Sequence, residues 1–355
     1  MPRKLNILVL GVGGNVSQGI LRALAVSNLE YRLIGACISA ESLGLYLCDA
    51  AYISPYATDA EFIPWLLDLC HQERIDIILT GVEEIIDELV INAETIHKET
   101  GAVFVSSSES QINIGRDKLR TCEWLRQNDC AFPMFAASED SDNVQRLVDE
   151  CGFPLIAKPR NGKGSHGVRI INEYSEFDDF FYSNVSHYVI EQYIGDNDSE
   201  YTVACYCDKN GSLIDLITMK RTLGFGATMK AEVVQNDLIR KESVKICEAF
   251  KPVGPLNIQM RLDRNGVPVC FEINVRFSGT VSMRARFGFN DVEALIREHI
   301  YNENVNNSFV IKSGIAYRYW NEIFTDKDDR ESLMNKGRIS TVNRTTNYVD
   351  GYRGK

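Results

Sequence analysis

Apolar and polar positions change rhythm partway along the chain. Over roughly the first hundred residues, short apolar runs alternate with segments of helical spacing. Residues 5–10 are apolar except for Asn6 and predict a strand, and 16–25 carry the 3.6-residue spacing of an amphipathic helix. A strand at 32–38 follows, then a helix opening at Thr58, with Glu61 three residues on as its capping-box partner. A strand at 74–80 and a helix at 83–98 complete the region. This order predicts a parallel sheet with helices on both faces.

Residues 106–150 are mostly of helical pattern, with a break at Pro133. From 153 onward strand-like runs dominate, at 155–158, 168–171, 187–193, 201–207, 213–220, 256–262 and 267–274. Helical spacing recurs at 177–182, 238–250 and 292–301. This half reads as α+β, largely antiparallel. Beyond about 325 the chain is polar and charged, which predicts a loosely held tail.

Composition narrows the picture. The 355 residues are 45% hydrophobic and 25% charged, an ordinary globular balance, and too many for one core, so two or three subdomains are expected. A net charge of -11 without a basic stripe argues against nucleic acid or an anionic membrane as the main partner. No stretch nears the ~18 apolar residues that cross a bilayer. The opening apolar run is short and ends in glycines, so it reads as a strand and not a signal peptide, and a cytoplasmic location is expected. The ten cysteines include no CxxC pair and are expected as buried reduced thiols. Cys205 and Cys207 share one strand face, which keeps a metal or redox pair open.

Candidate chemistry starts with glycines. Gly11-Val12-Gly13-Gly14-Asn15 joins the first strand to a helix, but Val16 stands where a dinucleotide fingerprint needs its third glycine. The turn either receives an anion at the helix N-terminus or simply reverses the chain tightly. Glu83 and Glu84 open a helix beyond a strand end, a ligand edge in open α/β sheets. Acidic residues there also suit the helix dipole. Residues 157–168 hold Lys158, Gly162, Lys163, Gly164, Ser165 and Gly167 between two strands. Glycine N–H groups with basic side chains favour phosphate binding over a plain hairpin.

The hairpin at 256–274 carries the most specific pattern. A two-residue Asn265-Gly266 turn sets Gln259 opposite Glu272, and a four-residue turn shifts the ladder by two and keeps the faces. Either way Gln259, Glu272 and Asn274 share one side, and Ile258, Met260, Phe271 and Ile273 the other. A carboxylate between two amides suits a hard cation such as Mg²⁺, and an outer solvated face is the alternative.

Together these residues resemble the ATP-grasp superfamily, most closely its carbamoyl-phosphate-synthase-like branch, over roughly residues 5–300. The resemblance implies an α/β and α+β ATP-grasp fold. Its parts would be an N-terminal Rossmann-like (pre-ATP-grasp) parallel-sheet domain at 1–110, a lid subdomain at 111–185, a C-terminal subdomain at 186–325 and a polar tail at 326–355. It implies that Lys118 and Lys158 contact ATP phosphates under the glycine loop, and that Glu191, Gln192, Tyr193 and Ile194 hold adenine. Glu200 matches the ribose-binding acid, although the stretch before it is slightly long. Gln259, Glu272 and Asn274 match the Mg²⁺ ligands, with Mn²⁺ as a substitute, and Arg276 the triphosphate position.

The chain holds one such module where the full synthase has two, so a stand-alone carboxylate–amine ligase is expected. It would phosphorylate a carboxylate and let an amine displace the phosphate. Lys158, Lys220, Arg221 and Arg276 are the candidate catalytic residues. Lys220, Arg221 and Lys230 flank a glycine-bearing segment, 223–230, that could close over the acyl phosphate. Ser278, Gly279, Thr280, Arg284 and Arg286 follow the metal strand as substrate candidates, and the paired arginines could clamp an amino acid's carboxylate or be a solvated helix face. Bicarbonate use, small-molecule kinase activity and a non-catalytic ATP-binding module are the alternatives. Partners are small carboxylates and amines, and a homodimer is left open.

Overall fold

A computed structural model describes residues 4–341 except 163, 165, 183–185, 197, 198, 307, 320 and 321. Its backbone divides into two units, one of 1–109, 276–312 and 318 onward, the other of 110–275 and 313–317. This differs from the boundaries expected at 110, 185 and 325. Residues 111–275 hold together, and 276–312 cluster with the N-terminal residues.

The first unit opens with β1 (Leu5–Leu10), α1 (Asn15–Leu24), β2 (Tyr31–Cys37) and β3 (Ala50–Ile53). It continues with α2 (Phe62–Glu73), β4 (Ile77–Thr80), α3 (Glu83–Thr100) and β5 (Val103–Phe104). The second unit begins with α4 (Glu109–Arg116), α5 (Lys118–Gln127), β6 (Phe135–Ala137) and α6 (Ser141–Cys151). Next come β7 (Leu155–Pro159), β8 (Arg169–Ile171), α7 (Tyr174–Tyr182) and β9 (Tyr188–Gln192). Then follow β10 (Glu200–Cys207), β11 (Leu213–Gly224), β12 (Ala227–Val233) and α8 (Asp237–Phe250). The hairpin β13 (Gly254–Leu262) and β14 (Pro268–Asn274) ends this run. The chain re-enters the first unit through α9 (Val281–Arg286) and α10 (Asp291–His299). It lends β15 (Ile315–Tyr317) to the second unit, then forms α11 (Lys327–Lys336) and β16 (Arg338–Ile339).

In the first unit the sheet order is β16-β3-β2-β1-β4-β5. β1 runs parallel to β2 and β4, as the alternation predicts. Ile7, Leu8 and Val9 are sealed from solvent, which is why this strand reads as a continuous apolar run. The helix expected from Thr58 starts instead at Phe62, because Tyr56 and Asp59 form a turn that uses the preceding backbone. Glu61 makes no capping bond.

The stretch expected as a loose tail is ordered as far as 341. The Asp326 side chain accepts from the Asp328 N–H and caps α11. β16 pairs antiparallel with β3, Ile339 opposite Ala51, and buries Ile339 and Leu333. Residues 342–355 lie outside the described part.

The second unit has two antiparallel sheets, β6-β9-β7-β8 and β14-β13-β10-β11-β12-β15. One face of the larger sheet buries Val203, Cys205, Ile258 and Met260 with Ile246 and Phe250 of α8. Residues 223–230, expected as a closing segment, instead turn at Phe225-Gly226 and join β11 to β12 as a hairpin.

Candidate functional site

Within the second unit the two sheets enclose a cavity of about 240 Å³. Alternation on β7 sends Leu155 and Ala157 into the small-sheet core and Ile156 and Lys158 into the cavity. The buried Lys158 ammonium meets the Glu191 carboxylate at 2.6 Å and lies 4.8 Å from the Phe271 ring centroid. Glu191, Gln192, Tyr193 and Ile194 line the same space, at the end of β9. Cys122 donates its thiol to Glu191, and burial pushes that thiol well above its usual pKa, so it stays a neutral donor.

The glycine loop borders the cavity through Gly162, Gly164 and His166, while Lys163 and Ser165 lie outside the described residues. Gly167 does not line it and packs against Pro159. The loop is anchored at its base. Asp117 caps α5 by accepting from Leu119 and Arg120, and takes three bonds from Arg160, the shortest at 2.5 Å. Lys118 Nζ donates to Gly162 O at 3.1 Å. Burial raises the Asp117 carboxyl, yet the Arg160 guanidinium outweighs this and holds it below the usual 3.8.

The hairpin reaches the expected pairing by another route. Its turn is three residues, Arg264 to Gly266, and a bulge at Phe271 then restores the register, so Gln259 stands opposite Glu272 and Asn257 opposite Asn274. Because of the bulge Phe271 lines the cavity beside Glu272, and Cys270 takes the core place expected for Phe271. Asn274 Nδ2 donates to Glu272 Oε1 at 3.0 Å, and Gln259 Oε1 accepts from Arg221 at 2.7 Å. Among the described residues that leaves Glu272 Oε2 and Asn274 Oδ1 without a hydrogen-bond partner, a donor pair that fits a hard divalent cation.

Glu200 is buried between two arginines. Arg221 approaches Oε1 at 2.6 Å and Arg261 approaches Oε2 at 2.8 Å. Burial would raise this carboxyl, but the two guanidiniums outweigh it and hold the pKa below the usual 4.5. Arg261 also lies over the Tyr193 ring, 5.2 Å from its centroid. The sequence reading missed Arg261 and Ile156 in the cavity. The alternation that exposes Gln259 and Lys158 there would have found both. Lys220 occupies the opposite parity on β11, pairs across from Tyr201, and does not line the cavity.

The remaining candidates belong to the first unit. Arg276 makes two bonds to Glu83 Oε1, the shorter at 2.5 Å, while Glu84 is exposed. Arg284 is not half of a clamp. It is buried and pairs with buried Asp291 at 2.6 Å, and it donates to Ser278 and Thr280. Withdrawing it would strand Asp291, at a cost of about 3–5 kcal/mol. Arg286 is exposed. The Gly279 carbonyl accepts from Arg318 at 2.7 Å, and Arg318 also holds Asn15.

The N-terminal glycine turn is filled by protein. The Gly13 N–H donates to Cys37 Sγ and the Gly14 N–H to the Gly11 carbonyl, so neither points at a pyrophosphate. Residues 43–47 fold onto the turn, and a Cβ on Gly44 would stand 2.1 Å from Val12 O. Cys205, Cys207 and Cys247 sit together in the core, where mutual hydrogen bonding and burial push the Cys207 thiol far up.

The fold is of the ATP-grasp type. Residues 186–323 match the family profile described as ATP-grasp in the biosynthetic pathway with Ter operon. Pyruvate carboxylase of Staphylococcus aureus is 21% identical over 92% of the chain and 28% of its own length. The carbamoyl phosphate synthase large chain of Haemophilus ducreyi is 23% identical over 52% of the chain and 18% of its own length. The chain thus spans less than a third of these curated relatives. N5-carboxyaminoimidazole synthetase from Staphylococcus aureus complexed with ADP superposes with TM-score 0.72 at 18% identity, covering 94% of this chain and 87% of that one. The biotin carboxylase domain of 2-oxoglutarate carboxylase from Hydrogenobacter thermophilus, solved with MgADP, ADP and bicarbonate, gives TM-score 0.64 at 17% identity over 82% and 68%. Residues 186–323 thus carry an ATP-grasp profile, and the whole chain shares the fold of these neighbours. No helix among its described residues is long and apolar enough to cross a membrane.

Proposed function

We propose that the protein is an ATP-dependent carboxylate–amine ligase that forms an amide through an acyl phosphate and releases ADP and phosphate. The observation that carries this reading is the convergence in one cavity of Lys118, Lys158, the glycine loop, residues 191–194 and the Gln259–Glu272 face. Adenine rests on Phe271 and Ile156 beside the 191–194 backbone. Lys118, Lys158 and the loop N–H groups take the developing phosphate charge, so catalysis is chiefly positioning and electrostatics. Glu272 and Asn274 would hold Mg²⁺, or Mn²⁺ in its place, which when bound neutralises phosphate charge. Arg276 with its Glu83 partner is the best candidate for meeting substrate. Arg221 stays a phosphate-side candidate, and Lys220, off the cavity, is withdrawn.

The test is incubation with ATP, Mg²⁺ and pooled small carboxylates and amines, followed by mass analysis. Substrate-dependent ADP, phosphate and a condensed product are expected. AMP and pyrophosphate would overturn the acyl-phosphate step.

A second reading, bicarbonate as the activated acid, is favoured by the similarity to a carboxyaminoimidazole synthetase and to a carboxylase domain solved with bicarbonate. ADP release that depends on bicarbonate and an amine, with labelled carbon retained in the product, would select it.

A further inference from the structure

Asn257 lies two residues before Gln259 on the same face of β13, directly opposite Asn274, and is 1% exposed. Its donors fix the orientation of its amide. Nδ2 gives one hydrogen to Thr202 Oγ1 at 2.7 Å and the other to the Val203 carbonyl at 3.0 Å, and a carbonyl can only accept. Oδ1 therefore points away from both. It is enclosed by protein and has no hydrogen-bond partner among the described residues. An unpaired buried acceptor costs stability, and an alanine at this place would carry no such oxygen. On the β10 side its neighbour is Ala204, which has no side-chain donor to offer. The β14 neighbour does have one: Asn274 Nδ2, which is turned to Glu272 Oε1 at 3.0 Å.

From this orphaned oxygen we infer that Asn257 is a positioning residue for the cation-binding oxygens, acting through Asn274. The inference rests on the cation reading of Glu272 and Asn274 proposed above. Facing residues of an antiparallel ladder have Cα atoms about 4.5–5.5 Å apart, so side-chain rotation alone carries Asn274 Nδ2 from Glu272 to Asn257 Oδ1. The exchange conserves the number of hydrogen bonds. It moves the unpaired acceptor from an enclosed position to the Glu272 carboxylate. As the side chains stand, the Asn274 amide shields one carboxylate oxygen. After the exchange both oxygens of Glu272 and Asn274 Oδ1 are open to a hard divalent cation, and Asn257 holds the Asn274 carbonyl in its direction.

The probe is Mn²⁺, titrated by electron paramagnetic resonance into the full chain holding a non-hydrolysable ATP analogue. Asn257→Ala should weaken protein-held Mn²⁺ by about tenfold. In an Asn274→Ala background the same substitution should change the affinity by less than about threefold, because the residue through which it acts is gone. A merely structural role would weaken Mn²⁺ by the same factor in both backgrounds. That result, or an unchanged affinity in the single variant, would overturn the inference. Asn257→Asp keeps an acceptor oxygen at this place and should hold Mn²⁺ within about threefold of the wild type. A loss as large as that of the alanine variant would count against Oδ1 as the working atom. Ligand-free melting curves accompany each variant, and Asn257→Ser replaces Asn257→Ala if the latter does not melt cooperatively. If the wild type takes up the analogue but holds no Mn²⁺, the cation reading and the inference fall together. If the analogue itself does not bind, the nucleotide reading fails separately, and the same cycle with Mn²⁺ alone decides the inference.

Discussion

The chain contains two glycine-bearing loops that follow strands, and they have opposite fates. The loop at 11–14 is closed by its own unit: Gly44 presses on the Val12 carbonyl, and Cys37 takes the Gly13 N–H. The loop after β7 borders a cavity, and a Cβ on Gly162 or Gly164 would meet nothing within 4 Å. Both glycines there have positive φ, +144° and +66°. Glycine in the first loop serves close packing. In the second it gives the backbone freedom beside the cationic side chains of Lys118 and Arg160. Neighbours, and not the glycines themselves, decide whether such a turn can receive a ligand.

The comparison can be broken most forcefully at Gly44. Gly44→Ala should destabilise the protein by about 3 kcal/mol or more through overpacking, lowering the melting temperature in calorimetry. If the melting temperature stays put, the first loop is not sealed as described. On the open side, Lys158→Met should reduce ATP turnover by about 10²–10³-fold, read from steady-state kinetics well below the variant's melting transition, which itself falls because Glu191 loses its buried partner. Retained turnover would remove the cavity from the reaction. Asp117→Asn should cost about 1–2 kcal/mol by weakening a helix cap and its bond to Arg160. The pH dependence sharpens this. With its folded pKa depressed, Asp117 contributes stability that is present above about pH 3.8 and is lost as pH falls through the lower folded value. Acid unfolding monitored by circular dichroism should therefore be shallower in the variant below pH 4. The smallest effect is expected for Gly162→Ala, about 1 kcal/mol of backbone strain, accompanied by weaker ATP binding. Loss of stability without any change in affinity would make this loop resemble the first one.

Much of this was legible in the sequence, for identifiable reasons. Strand parity is local, so Gln259 and Glu272 on one face could be read from residue spacing, as could the parallel order of β1, β2 and β4 from the alternation of strand and helix, whereas the pairing of Gln259 with Glu272 came out as expected only because a three-residue turn and the bulge offset each other. The bulge at Phe271 could not, because one extra residue in a strand leaves no periodic trace and flips only what precedes it. Arg284 was misread because its partner, Asp291, lies on the next helix, and only folding shows that its charge is already satisfied in a closed core. The polar segment after 325 hid its strand because two residues, Arg338 and Ile339, are too short a run to show alternation.

That short strand bears on how the chain is made. The N-terminal sheet takes its edge from residues 338–339, and α9 and α10 join the same unit only after 110–275 have been threaded through the other one. During synthesis the second unit can therefore finish first, although it is encoded later than most of its companion. The unit whose sequence emerges first must wait for residues 338–339. A stop codon just before α11 would damage the beginning of the protein, leaving β3 as a bare sheet edge, while the cavity of the second unit, far closer to the break in sequence, kept every residue that lines it.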